Sequence, residues 1–94
     1  MIDDIAVALA NRHRRRLLLT LLERDPDDAV PLAAIAAGRS DVRIELAHAH
    51  LPMLEAAGLV DWHPGAGVVR RGPRFEDCSV LLEPLRELCV RARG

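Results

Sequence analysis

Residues 48–71, HAHLPMLEAAGLVDWHPGAGVVRR, decide the fold that this sequence predicts. Apolar residues at helical spacing, among them Leu51 and Leu54, run up to Gly58. Glycine readily adopts the left-handed conformation that ends helices. Two short β-prone runs follow, LVDWH and VVRR, and the turn sequence PGAG separates them. The stretch therefore predicts a helix that leads directly into a β-hairpin.

Helical patterns also flank this stretch. The predicted helices are a first one containing Ile2, Ile5 and Leu9, a second from about Asn11 to Arg24, a short third from Pro31 to Gly38, a fourth from Asp41 to Ala57 and a last one from Arg74 to Arg93. Asp41 is the predicted N-cap of the fourth helix. Pro52 lies inside that helix, where it removes a backbone donor and crowds the carbonyl of His48, so a kink is predicted there.

The composition fits one small helical domain. Of the 94 residues, 50% are hydrophobic but only 2% are aromatic, so aliphatic side chains must form the core, which suits packed helices. A short helix, a tight turn and a second helix form a helix-turn-helix, and a hairpin directly after it makes a winged helix. The predicted class is therefore mainly α with a small β-hairpin wing, in the order α-α-α-α-β-β-α. Residues 1–94 form one domain, with 1–75 as the core and wing and 76–94 as a dimerisation helix.

Several function classes are not expected. No apolar run reaches the roughly 18 residues of a membrane span, and the opening MIDDIA has acids where a signal peptide needs positive charge, so we expect a cytoplasmic protein. The chain has no glycine-rich phosphate loop after a strand and no nucleophile with a base at a meaningful spacing. We therefore expect neither an enzyme nor a cofactor.

Two blocks resemble the arsenic-repressor-like (ArsR-type) winged helix transcription regulators. LANRHRRRLLLTLLE, residues 9–23, is similar to the opening of that family, and AHLPMLEAAGLVDW, residues 49–62, is similar to the block that joins its recognition helix to its wing. Small winged helix domains from haloarchaea share the second block with this same proline. The resemblance covers about residues 5–71. It implies an intracellular, homodimeric regulator that binds double-stranded DNA.

The resemblance also implies where DNA contacts would lie. The family reads bases with polar side chains just ahead of the His-Leu pair, and at those positions this chain offers only His48 as a donor and Glu45 as an acceptor for cytosine. Arginines at the start of this helix and after the wing tip suit phosphate, although they could instead pair with Asp41, Asp61, Glu76 and Asp77. The predicted DNA-contacting residues are Arg39, Ser40, Arg43, Glu45, His48, Arg70, Arg71 and Arg74.

The Arg14-Arg15-Arg16 run and the histidines favour structural interpretations. Three consecutive residues spread over about 200° of a helix, so they cannot all face one partner. We expect their stems to cover the core and their heads to pair with Asp25, Asp27 or Asp28. His48 and His50 point about 200° apart and cannot bind one metal ion together. His50 is expected to pack between helices.

The last segment has apolar residues at alternating spacings of three and four, which is typical of a helix–helix seam. We expect a homodimer through the first helix and this seam. The predicted interface residues are Ile2, Ile5, Leu9, Phe75, Cys78, Leu82, Leu85 and Cys89. Within it the cysteines act as small buried hydrophobes, and a symmetric intermolecular disulfide is the alternative.

Two other functions stay open. One is a protein–protein interaction module, in which Ile44, Leu46 and Met53 on the fourth helix form an exposed docking patch. The other is a metal or redox sensor, although the cysteine motif that such relatives have on the short helix is missing from PLAAIAAG, residues 31–38.

Overall fold

The computed structural model describes the backbone of residues 2–93 and the side chains of residues 3–88. The helices are α1 (Ile2–Leu9), α2 (Arg12–Leu22), α3 (Leu32–Ile35), α4 (Ser40–Glu45), α5 (Leu51–Ala56) and α6 (Phe75–Arg93). The strands are β1 (Val30–Pro31), β2 (Val60–His63) and β3 (Val68–Arg71). The predicted hairpin and the mainly helical class are confirmed, and the sheet contains one strand more than the sequence indicated.

The additional strand is β1, which pairs antiparallel with β3, so that the sheet order is β1-β3-β2. Pro31 is extended and stands just before α3, whereas the sequence placed it inside that helix. A two-residue strand shows no alternation of apolar and polar residues, which is why the pattern did not predict it. The third helix is therefore shorter than expected, and the turn after it contains Ala37 and Gly38, both with positive φ.

The second helix begins where its cap dictates. The Asn11 side chain accepts hydrogen bonds from the backbone N–H groups of His13 and Arg14, at 2.8 and 3.2 Å, which satisfies two of the free donors of α2. Leu17, Leu18 and Leu21 make up its buried face.

The segment from residue 40 to residue 56 contains a π-helical turn, Leu46–His50, between α4 and α5. The N–H of Leu51 bonds to the carbonyl of Leu46, five residues earlier. This wider turn relieves the crowding that Pro52 would otherwise impose on the carbonyl of His48, and it occupies the region where the sequence predicted a kink. The prediction of Asp41 as N-cap was wrong, because α4 begins at Ser40 and Asp41 lies within its first turn.

The core is formed by aliphatic side chains from the helices and the sheet, together with Phe75. The largest fully buried side chains are Leu17, Leu18, Leu21, Val30, Leu46, Leu51, Leu54, Leu59, Val60, Val69, Phe75 and Leu82. Within the described part of the chain, no helix combines the length and the apolar character needed to cross a membrane.

Half of the predicted dimer residues belong to this core. Ile5, Phe75, Cys78 and Leu82 are at most 5% exposed, so the chain's own residues already cover them and leave no area for a second copy. Their assignment to a dimer interface was wrong. A spacing of three and four is equally typical of a helix that packs on its own domain. The other four are Leu9 and Leu85, which are partly buried, and Ile2 and Cys89, whose side chains lie outside the described residues.

Cys78 lies in an environment that suppresses thiol chemistry. Its Sγ donates to the carbonyl of Phe75 at 3.1 Å, and burial raises the pKa of the thiol to about 11. Because the thiolate is the reactive form, this cysteine is expected to be inert, which argues against a redox role for it.

Gly72 allows the chain to pass from β3 into α6. Its N–H donates to the carbonyl of Leu59, and a Cβ at this position would lie 2.5 Å from the oxygen of Gly58 and 2.7 Å from the nitrogen of Val60. Both atoms are backbone and cannot rotate away. The close approach of these two segments therefore requires glycine.

We expect Gly72→Ala to lower the free energy of unfolding by at least about 2 kcal/mol, because the new methyl group forces two backbone segments apart. Gly65→Ala is the matched control, since a Cβ there meets no atom within 4 Å, and it should change stability by no more than about 0.5 kcal/mol. Urea unfolding of both variants measures the difference. Equal stabilities would contradict the proposed constraint.

Candidate nucleic-acid interface

Arg71, predicted to contact phosphate, is instead bound to the end of α2. Its guanidinium donates to the carbonyls of Leu21, Leu22 and Arg24 at 2.9 to 3.3 Å, and only 13% of the side chain is exposed. It also lies over the ring of Phe75, 4.6 Å from the centroid. Leu21 and Leu22 belong to the last turn of α2, where a helix has few donors of its own for its carbonyls and where the helix dipole also favours a cation. The assignment of Arg71 to DNA was therefore wrong.

Arg74 has a similar structural role at the end of α5. Its Nη1 donates to the carbonyl of Ala57 at 3.1 Å, and its Nε donates to Asp77 at 3.2 Å. The aliphatic part of the side chain lies close to Gly58, whose positive φ ends the helix. With these partners occupied and two thirds of the side chain covered, Arg74 is not available as a phosphate ligand. The prediction that Arg74 contacts DNA is therefore corrected as well.

Arg70 remains at the surface. It points to the opposite face of β3 from Arg71, because neighbouring residues of a strand alternate. Its Nη1 donates to the carbonyl of Asp27 at 2.6 Å, and the contact is exposed. The two arginines after the wing tip therefore do not act on the same partner.

The arginine run on α2 likewise contains residues that bind a helix end and a residue that remains exposed. Arg14 donates to the carbonyls of Val7 and Ala8, at 2.8 and 3.1 Å, and Arg15 donates to the carbonyl of Leu9 at 2.7 Å. The predicted aspartate partners were wrong for these two residues, which bind the C-terminus of α1.

Arg16 is exposed and faces a cleft, together with Arg12 and Arg39. We call this the arginine cleft. It has a volume of about 290 Å³, and its remaining lining residues are His13, Ile35, Ala36, Ala37, Val42 and Leu46. A second hollow of about 200 Å³, lined in part by Gly38, Ser40 and Arg43, shares Ala36 and Arg39 with it.

The charges around these two hollows are only partly balanced. Arg39 donates to the carboxylate of Asp41 at 2.8 Å, and this hydrogen bond holds the pKa of Asp41 below its usual value. Within residues 3–88, Arg12, Arg16 and Arg43 have no ion-pair partner. Three guanidinium groups are therefore available to an anion next to the turn between α3 and α4.

Sequence reasoning did not select Arg12 or Arg16. The available signal was their separation of four residues, which places both on one side of α2. That signal was hidden by the two neighbouring arginines that point elsewhere.

Glu45 lies beside α2, and 52% of its side chain is exposed. Its Oε2 lies 3.4 Å from Nε2 of His13 and 3.9 Å from Nε2 of His50. Arg14 lies 3.0 Å from Nδ1 of His50, and because a guanidinium has only donors, this nitrogen must accept and Nε2 must hold the proton. The carboxylate is therefore directed toward two histidines, an arrangement that a contact to cytosine would have to displace. His50 is buried between helices, as predicted.

These contacts determine the charge and ligand chemistry of His50. Burial, followed by the charge of Arg14, lowers the pKa of His50, so the ring is neutral at pH 7. A metal ion would need the Nε2 lone pair, and the proton fixed there by Arg14 opposes this. Among the described residues no group of three or more His, Cys, Asp or Glu side chains is arranged to hold a metal ion.

The predicted docking patch does not form. Leu46 is 1% exposed and Met53 is partly buried against the core, which leaves Ile44, 56% exposed, as the apolar residue of the three at the surface. The helix face instead exposes Ser40, Arg43 and His48.

Searches of protein-family models, curated proteins and solved structures found no match to this chain. Any function must therefore be inferred from the residues themselves.

We expect Arg71→Ala to lower the free energy of unfolding by about 2–4 kcal/mol, because two part-buried carbonyls and one exposed carbonyl lose a charged donor and Phe75 loses its stacked partner. The neighbouring Arg70→Ala removes one exposed hydrogen bond and should cost no more than about 1 kcal/mol. Chemical denaturation of the two variants compares them. Similar losses would refute the capping role of Arg71.

We expect His50 to make the fold less stable in acid. Its pKa is lower in the folded chain than the ordinary value of 6.5, so the unfolded chain takes up the proton first. The stability that neutral His50 contributes is complete above pH 6.5 and is lost as the pH falls through the folded pKa. Unfolding curves between pH 8 and pH 5 should show a weaker dependence for His50→Gln than for the exposed control His63→Gln. Parallel curves for the two variants would be the contrary result.

Proposed function

We propose that this chain is a winged helix domain that binds double-stranded DNA as a homodimer and regulates transcription. The order of elements supports the proposal. The short helix α3, the turn at Ala37 and Gly38 and the 40–56 segment follow the plan of a helix-turn-helix, and the β2–β3 hairpin comes next, where a wing would be. In such domains the second helix enters the major groove.

The observation that carries the proposal is the exposure of Arg39 and Arg43 at the turn and on the first turns of α4. In a helix-turn-helix, residues at this point meet the phosphate backbone at the edge of the groove. The exposed Ser40 adds a hydroxyl donor. Arg43 has no ion-pair partner among the described side chains, and the partner of Arg39, Asp41, is as exposed as Arg39 itself and readily displaced.

The expected binding depends little on sequence. Phosphate contacts provide affinity and register, whereas specificity requires groups that read base edges. On the exposed side of α4 and the π turn, Ile44 has no hydrogen-bonding group and Glu45 is directed to His13, so His48 is the residue best suited to reach a base. The wing contributes Arg70, since Arg71 and Arg74 bind helix ends.

The outer face of α6 supports the homodimer. Val80 is 72% and Leu88 59% exposed, and Leu81 adds to the same apolar surface. The acidic side chains of this helix, Glu76, Asp77 and Glu83, pair with arginines of the same chain, so the exposed apolar residues rather than charge carry the homodimer proposal. This surface replaces the buried seam that the sequence indicated.

We expect Arg39→Ala/Arg43→Ala to weaken binding to a random duplex and to reduce the slope of log affinity against log salt by about 3.6, because each copy of the homodimer loses two phosphate contacts and each lost contact removes roughly 0.9. Fluorescence anisotropy at several salt concentrations measures both quantities. Arg24→Glu is the matched control, since it changes the net charge by the same two units at an exposed residue just beyond the end of α2 that lines neither hollow.

Two results would refute the proposal. One is a wild-type chain that fails to bind duplex DNA even at low salt. The other is an equal loss of affinity and slope in the test and control variants, which would show a response to net charge alone.

A further inference from the structure

We propose that the arginine cleft is a binding site for a phosphate group. The cleft lies between α2, which contributes Arg12 and Arg16, and the segment from α3 to the π turn, which contributes Arg39. It shares Arg39 with the proposed DNA contacts, but Arg12 and Arg16 are not among those contacts, so phosphate binding can be tested whether or not the chain binds DNA.

The geometry of the three arginines supports a single anion. Arg12 and Arg16 are four residues apart on α2, which is about 6 Å along the helix axis and on one side of it. Arg39 approaches from the other wall of the cleft. The volume of about 290 Å³ is several times the roughly 30 Å³ that a water molecule occupies in the liquid, so a tetrahedral anion fits.

The chemistry of the walls favours phosphate. Each guanidinium presents a planar set of donors that can bind two phosphate oxygens at once. Arg12 and Arg16 have no hydrogen-bonded side-chain partner among residues 3–88, so neither has to break a contact to bind. A phosphate dianion would outcompete the single charge of Asp41 for Arg39.

The remaining polar groups near the cleft disfavour the binding of anions that have little charge. His13 is on the wall, but its Nε2 is directed to Glu45 at 3.4 Å. Glu45 and Asp41 are thus the two carboxylates close to the site. Their repulsion of the ligand is offset when the ligand has enough negative charge to attract all three arginines. A phosphate dianion has that charge, whereas a carboxylate has less.

Two sources present phosphate oxygens to the three guanidinium groups: the phosphate monoester of a small phosphorylated molecule, to which the charge argument applies in full, and a backbone phosphate of DNA, which has a single negative charge and relies more on bidentate hydrogen bonding. In both cases the ligand would sit beside the residues that start α4.

The test is a titration of isotope-labelled protein with inorganic phosphate at constant ionic strength, followed by the backbone signals of residues 12–16 and 36–39 and the arginine Nε–H signals. We expect saturable shifts confined to this region. Arg12→Ala/Arg16→Ala should weaken phosphate binding at least tenfold, and Arg24→Glu, which changes the net charge equally outside the cleft, should leave it unchanged. The amide spectrum of each variant verifies its fold. Shifts that do not saturate, or that persist in Arg12→Ala/Arg16→Ala, would overturn the proposal.

A second arm adds duplex DNA to the phosphate-loaded protein. Displacement of phosphate by DNA supports the site and identifies the backbone as its source, whereas retention of phosphate beside bound DNA supports it with a free phosphorylated ligand. A protein that saturates with phosphate but binds no DNA supports the site and refutes the proposed function. A protein that binds DNA but has no saturable phosphate site refutes the phosphate site and supports the proposed function.

Discussion

The architecture depends on arginines that bind the free carbonyls at helix C-termini. Arg14 and Arg15 connect α2 to the end of α1, Arg71 connects β3 to the end of α2, and Arg74 connects the start of α6 to the end of α5. Each guanidinium satisfies acceptors that the helix itself cannot, and each joins two elements. In a small domain with two aromatic residues, these polar links supply orientation that bulky side chains would otherwise provide.

The same requirement divides the arginines by role. Those directed at helix ends are partly buried and committed to the fold, whereas Arg12, Arg16, Arg39 and Arg43 remain exposed and surround the turn between α3 and α4. The candidate interface is therefore defined mainly by these four arginines, which bind no carbonyl. The positive charge of the candidate interface therefore lies on α2 and the start of α4, and Arg70 is the contribution of the hairpin.

The parts of the fold that the sequence predicted are those encoded by local chemistry. Gly58 and the PGAG turn determined the helix end and the hairpin, and apolar spacing placed the helices to within a few residues. The partners of Arg71 and Arg14 were not predictable, because a backbone carbonyl is present at every residue and leaves no trace in the sequence. The seam on α6 was misassigned because the same spacing serves packing within a domain and between copies.

Prediction from the sequence was limited in the same way, and more strongly, for the candidate site. The positions of Arg39, Ser40, Arg43 and His48 follow from the helix-turn-helix pattern, and all four are exposed. The contribution of Arg12 and Arg16 depends on how α2 approaches the turn after α3, which is a tertiary relation that no local pattern expresses. The three-residue arginine run obscured it further.

The π turn at Leu46–His50 separates the two halves of the 40–56 segment. A regular helix transmits any rotation along its whole length, so its outer and inner surfaces cannot be adjusted independently. The extra residue in this turn loosens that coupling, because Leu51 and Leu54 lie in the core beyond it, whereas α4 itself contains no fully buried residue. Substitutions on the exposed side of α4 therefore leave the packing of Leu51 and Leu54 intact, and Val42 is the residue of α4 that ties it to the core.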